Sequence, residues 1–167
     1  MQTIHVQPLS AEKFAKYGEF QNLLDDASLA AKSVFPFGFF ADVVKLDLGT
    51  GTLPTVSVCQ ARKAEKNIIA SLEAHKATCE GLLPLDDDVV IFVGTAFPGR
   101  PFSVDSVEAF YVPKGTFVKL NPYILHGTQF PVNADVAHVV CILPGRTFAN
   151  DIQMQALPED ARAEVVL

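Results

Sequence analysis

Apolar residues along this chain fall into short runs rather than long helical stripes. Val89 to Gly94 is dense in β-branched residues and reads as a buried strand. Val107 to Val112, Thr116 to Leu120, His126 to Phe130 and Val136 to Leu143 read as further strands. Val56 and Val58, with Gln60, alternate with polar or small residues and predict another. Ile4, Val6 and Leu9 open the chain as a strand, and Asp42 to Leu48 is expected to be one after the turn at Phe35 to Phe40. Ile68 to His75 fits either period, and the strands that follow it favour a strand there too. Helix is confined to short pieces. Ser10 caps a segment ending at Gly18, Leu23 to Lys32 is a weaker candidate, and Pro158 to Ala161 suggests one turn in an exposed tail.

Many short strands parted by Gly and Pro turns, with little helix between them, predict an all-β sandwich or barrel. A parallel α/β sheet needs crossovers of a dozen or more residues, and the chain has no room for them after residue 75. No repeat or linker divides residues 1–167, so a single domain is expected.

Composition narrows the function. The chain is 49% apolar and 19% charged, which fits a packed core, and its 13 Phe without any Trp point to a Phe-rich interior. A net charge of -6 and the lack of a Lys/Arg cluster beyond Arg62, Lys63 and Lys66 argue against nucleic acid. No apolar run approaches the roughly 20 residues of a membrane span, and the first residues lack a signal-peptide core. A cytoplasmic protein with no membrane partner is expected. Cys59, Cys79 and Cys141 are odd in number and widely spaced, as suits free buried thiols rather than a disulfide framework.

Candidate chemistry centres on Glu73-x-His75-x4-Glu80 and on the distant His126. On a strand, Glu73 and His75 share a face. Glu80 lies past a turn, and a barrel can bring His126 to the same interior. Two imidazoles and a carboxylate suit a divalent metal such as nickel, manganese, zinc or iron. His5 and His138 have no partner at useful spacing and read as structural. Asp86-Asp87-Asp88 reads as a solvated turn, since the EF-hand pattern is absent. Asn150-Asp151 reads similarly, with a place on a pocket rim open to it. The chain has no GxGxxG, Walker loop, HExxH or GxSxG, so no nucleotide cofactor is expected.

Several segments also carry a family resemblance. Val6-x-Pro8-Leu9-Ser10-x-Glu12-x-Phe14-Ala15-x-Tyr17-Gly18 is similar to the start of the ureidoglycolate lyases. The similarity continues through Leu72-Glu73-x-His75, Leu83-Pro84-Leu85, Val89 to Val93, Ala109-Phe110-x-Val112-Pro113-x-Gly115-Thr116 and Leu125-His126. It implies a cupin-type double-stranded β-helix, a jelly-roll barrel with one or two short helices, and a homodimer. It further implies cleavage of ureidoglycolate, a small 2-hydroxy acid derivative, to glyoxylate and urea. Carried onto this chain, His75 and His126 become candidates for metal ligand or base. Glu80 becomes a ligand or general base, and Glu73 an orienting group. The chain departs from the family pattern at Ala74, where a basic residue is expected, and at Asn121 and Gly127, where histidine is expected. Arg62, Lys63 and Lys76 are the cations available to hold a substrate carboxylate instead. The alternative is a non-catalytic cupin that binds a sugar or small organic acid, and Phe35, Phe37, Phe39 and Phe40 offer a dimer contact.

Overall fold

The computed structural model describes residues 1–32, 38–49, 51 and 53–167. Among the described residues fourteen strands are the dominant regular structure. One five-stranded sheet runs in the order β2 (Gly18–Asn22), β9 (Thr116–Leu120), β6 (Glu80–Pro84), β12 (Val136–Pro144), β3 (Pro54–Arg62). The second runs β10 (Ile124–Leu125), β7 (Val89–Thr95), β8 (Glu108–Val112), β1 (Gln2–Pro8), β14 (Ala163–Val166), β4 (Asn67–Ile69), with β11 (Phe130–Pro131) also on β7. A ribbon of β5 (Ser71–Ala74) and β13 (Gln153–Ala156) joins it through a bridge between Glu73 and His126. Pairing is antiparallel except along β1, which lies parallel to both β8 and β14. The sheets curl around a common interior, giving the all-β barrel expected. Among the described residues no helix is long and apolar enough to cross a membrane.

Two cores explain the apolar runs. Val89, Ile91 and Val93 of β7 point into the barrel, against Leu82, Phe110, Val118, Leu120 and Val139. Val90 and Phe92 point the other way, into a second core with Leu72, Ala109, Leu125 and Val165. A strand packed on both faces has no use for a polar position, hence the unbroken run. Phe14 closes one end of the barrel. It sits on α1 (Ala11–Phe14), capped by Ser10 Oγ, and meets Phe110 edge-on at 5.3 Å. Beside it the buried Tyr17 hydroxyl donates to Glu108 at 2.5 Å, and Lys16 and Gln7 also bind that carboxylate. Burial opposes ionisation of Glu108, yet these partners hold its carboxyl down at about 2.

Several expectations need correction. The chain from Asp42 to Leu48 forms no strand; Asp42 takes a left-handed conformation, and the segment pairs with no ladder. Gly18 does not merely end a helix but begins β2, because Tyr17 and Asn121 turn the chain onto β9. Helix α2 (Asp26–Lys32) occupies the later part of the second candidate. His126 to Phe130 is not one strand: β10 ends before it and β11 begins at its close. The tail after Asn150 is not loose, since β13 and β14 are paired and Leu157, Ala163 and Val165 are buried. On β3 the faces are inverted from the apolar pattern. Val56 and Val58 are 71% and 58% exposed, whereas the smaller Ser57, Cys59 and Ala61 turn inward. Phe39 is exposed and Phe40 half-buried, while Phe35 and Phe37 lie outside the described residues.

Asp86, Asp87 and Asp88 are not a solvated turn. Asp87 is buried and accepts from the backbone of Val132, Asn133 and Ala134 and from Asn133 Nδ2. Asp88 accepts from the Tyr111 hydroxyl and Lys114 N, and Asp86 from His138 N. The three carboxylates tie β12, the loop after β11, and β8 with the turn that follows it to the start of β7, a long-range role that local sequence does not encode.

Candidate functional site

Four polar side chains converge inside the barrel from three places in the chain. Glu73 and His75 point inward because Leu72 and Ala74, their alternates on β5, are fully buried in the second core. Glu80 opens β6 in the opposite sheet, and His126 follows β10. The bridge that pairs the backbones of Glu73 and His126 fixes those two side chains as neighbours.

The geometry around Glu80 is close and dry. His126 Nε2 lies 2.7 Å and His75 Nε2 3.6 Å from Glu80 Oε2. The imidazole centroids are 5.3 Å apart. Each ring's Nδ1 faces a backbone carbonyl: Asp151 for His75 and Ile124 for His126, both at 2.8 Å. An Nδ1–H donated to those carbonyls leaves Nε2 of both rings directed at the carboxylate. Yet Nε2 of His75, Nε2 of His126 and Oε2 of Glu80 are buried without an aligned hydrogen bond. Three such orphans, all within 4.8 Å of one another, are costly unless something else joins them.

Electrostatics agree with the geometry. Burial opposes charge on all three groups. The mutual attraction prevails, so Glu80 is held ionised and both imidazoles hold protons more tightly than free histidine. The same carboxylate is felt by two thiols on the adjoining wall. Burial first, and then Glu80, push Cys141 up to about 12, and Cys59 is raised for the same reasons. All three cysteines are free.

Two imidazoles whose Nε2 atoms face one anionic oxygen would, on releasing their Nε2 protons, fit a divalent cation of the nickel, manganese, zinc or iron class. A cation there would join all three orphan atoms at once. Glu73 stands aside from this set. Its Oε1 is 3.7 Å from His126 Nε2, and its side chain retains 24% exposure. Of the four side chains, Glu73 is the most open to solvent.

The cations expected to clamp a carboxylate lie elsewhere. Arg62 ends β3, exposed, and donates to Gln60 Oε1 on the outer face of the barrel. That correction follows from register: Cys59 and Ala61 are the inward residues, so Arg62 must turn out. Lys63 is exposed too. Lys76 alternates with His75 and lines a different cleft. The positions that depart from the resemblance are placed elsewhere too. Ala74 faces the second core, and a Cβ on Gly127 would come within 2.7 Å of the Phe92 ring. Asn121 serves the turn before β10, its N–H bonded to the Tyr17 carbonyl.

Asp151 is the member of the site that spacing could not reveal in full. Besides orienting His75, its carboxylate accepts from the backbone of Lys76 and Ala77. Phe148, from α3 (Thr147–Asn150), meets the His75 ring edge-on at 6.2 Å. Its exposed aromatic side chain flanked by Gly145 and Asn150 was the available signal for a rim.

A comparison with curated proteins gives no significant match. Among solved structures the chain is similar to a dTDP sugar isomerase from Desulfovibrio desulfuricans G20, with 11% identity, TM-score 0.47, and coverage of 71% of this chain and 73% of that one. It is also similar to RmlC from Streptococcus suis in complex with dTDP-D-xylose, with 14% identity, TM-score 0.39, and coverage of 81% and 54%. A dTDP-4-dehydrorhamnose 3,5-epimerase from Elizabethkingia anophelis NUHP1 follows at 8% identity and TM-score 0.38, covering 66% and 55%. The family model described as ureidoglycolate lyase matches residues 1–164, which run from β1 into the start of β14 and include all four inward polar residues. The chain belongs to the ureidoglycolate lyase family.

Proposed function

We propose that this protein cleaves ureidoglycolate, or a closely related N-substituted 2-hydroxy acid, to glyoxylate and urea, at the centre formed by His75, Glu80 and His126. The observation that carries the reading is the convergence of three buried ligand atoms, within 4.8 Å of one another, in a chain of this family.

The reaction is an elimination from a carbon bearing both a hydroxyl and a nitrogen. The hydroxyl loses its proton, its oxygen becomes the aldehyde carbonyl, and the carbon–nitrogen bond breaks. The departing nitrogen takes a proton to complete urea, so no water or co-reactant is consumed. His75, Glu80 and His126 are the residues that would hold a divalent ion. When bound, the ion supplies positive charge for the substrate's carboxylate and for the oxyanion. Glu73 then remains outside the ligand set. It takes the hydroxyl proton and returns it to the leaving nitrogen, which needs only one well-placed carboxylate. Asp151 and Ile124, through their carbonyls, keep the two imidazoles from rotating.

Protein stripped with a chelator and resupplied singly with nickel, manganese, zinc or iron(II) is expected to release glyoxylate from ureidoglycolate with at least one of them. His126→Ala is expected to lose stoichiometric metal by elemental analysis. A folded sample that releases no glyoxylate with any ion refutes the reaction. Retained metal binding in that sample would point instead to the non-catalytic binding module.

A further inference from the structure

A cleft of about 610 Å³ lies apart from the histidine centre, and none of the four inward polar residues lines it. Its walls come from the loop after β7, from Tyr123, from Lys76 and from β13. The loop is not loosely placed. The Gln155 amide accepts from Phe102 N at 2.8 Å and donates to Phe102 O at 3.2 Å, which pins the loop to β13. Ala96 N–H is bonded in turn to the Tyr123 carbonyl.

The lining carries two cations, Lys76 and Arg100, and no acidic side chain. Neither cation has an ion-pair partner among the described residues. Asp105 lines the adjoining recess on the far side of Arg100 without pairing to it. The guanidinium rests 5.8 Å from the centre of the Phe97 ring, and Tyr123 and Gln153 add a phenol and an amide. On a chain of net charge -6, two unneutralised cations beside aromatic walls are an uncommon local field. A flat apolar body can lie on the rings while an attached anion meets the cations. A neutral ligand leaves the charges unused, and an inorganic anion leaves the rings unused.

We propose that this cleft is a second ligand site, for a small organic anion with a planar apolar body, an aromatic carboxylate or phosphate monoester. Lys76 and Arg100 hold the anionic group, and Phe97 and Tyr123 hold the ring. The site stands independently of the reaction assigned to the barrel interior.

Saturation-transfer NMR with chelator-treated protein tests it, using benzoate and phenyl phosphate as anionic probes. Benzyl alcohol, benzylamine and acetate serve as controls lacking the charge, its sign or the ring. Probes at about 10 mM would nearly saturate a site of roughly millimolar Kd. Transfer to either anionic probe, at least about tenfold weaker binding of all three controls, and a loss of about tenfold or more in Lys76→Glu/Arg100→Glu are expected, each step of ten being about 1.4 kcal/mol. Preference for one anionic probe identifies the charged group. His126→Ala is expected to bind the probes unchanged, which separates this cleft from the histidine centre. Equal binding of benzyl alcohol, no transfer from either anionic probe, or unchanged affinity in the double variant would overturn the proposal. Should the double variant not fold, Lys76→Gln and Arg100→Gln singly carry the same test.

Discussion

Replacing Asp87 by alanine tests how far one buried carboxylate holds the barrel together away from its chemistry. Four hydrogen bonds end on that side chain. A bond to an ionised acceptor contributes about 1.5–3 kcal/mol net. The Val132 N–H is shared with the Asp88 carbonyl, so its loss counts least. Asn133 and Ala134 are exposed enough for water to replace part of what they lose. Taking the low end for two backbone bonds gives about 3 kcal/mol. For a chain of this size that is a fall of roughly 6–12 °C in Tm. Thermal unfolding followed by circular dichroism at pH 7 measures it, with metal content as the control expected to stay unchanged. The gap must also depend on pH. Burial works against the Asp87 charge, but the Ala134 and Asn133 donors prevail and lower its carboxyl below the ordinary 3.8. The stability it confers is therefore fully present above that value and is lost as pH falls through the depressed one. A fall in Tm below about 2 °C at pH 7, or a gap of the same size at pH 7 and in acid, would refute the reasoning.

Three further tests use five substitutions. Tyr17→Phe removes the hydroxyl donated to Glu108 but leaves Lys16 and Gln7 in place. A loss of about 1 kcal/mol is expected by urea titration, and unchanged or raised stability would sink the view of that bond as stabilising. Gly115 has φ of 76°, and a Cβ there would sit 2.5 Å from Leu24 Cδ1, whereas Gly99 has the same φ with nothing near it. Gly115→Ala should cost about 1–2 kcal/mol and more than Gly99→Ala, and the reverse order would show that Leu24 gives way freely. Val58→Thr on the exposed face should stay within about 0.5 kcal/mol, while Val139→Thr in the core should cost over about 1 kcal/mol. Equal losses would contradict the inverted faces of β3.

Sequence carried the barrel's centre and lost its margins. Strands such as β7, β8 and β12 announce themselves because both or alternate faces are packed, and burial selects branched apolar residues. Strands β2, β6 and β13 contain Gly, Pro, Gln and Glu, and they exist because a partner strand offers them a ladder. On β3 the larger residues face outward, so an apolar pattern chose the wrong face. His75, Glu80 and His126 could be named from residue type, but their meeting depends on the closure of two sheets. The role of Asp151 toward His75 runs through a backbone carbonyl, which every residue possesses and no side-chain pattern can mark. Arg62 misled for the complementary reason: charge type is legible, whereas the side of the strand is set by pairing with β12.

The parallel seating of β1 between β8 and β14 has a consequence for how the molecule is made. As the polypeptide leaves a ribosome, its first strand emerges with both edges bare. One neighbour arrives only after more than half of the chain, and the other with the last described strand. Until then Ile4 has no lasting cover, and loop closure over so long a span is slow. Newly made chains therefore spend their vulnerable interval with the edges of β1 open, the point at which a chaperone would have most to protect.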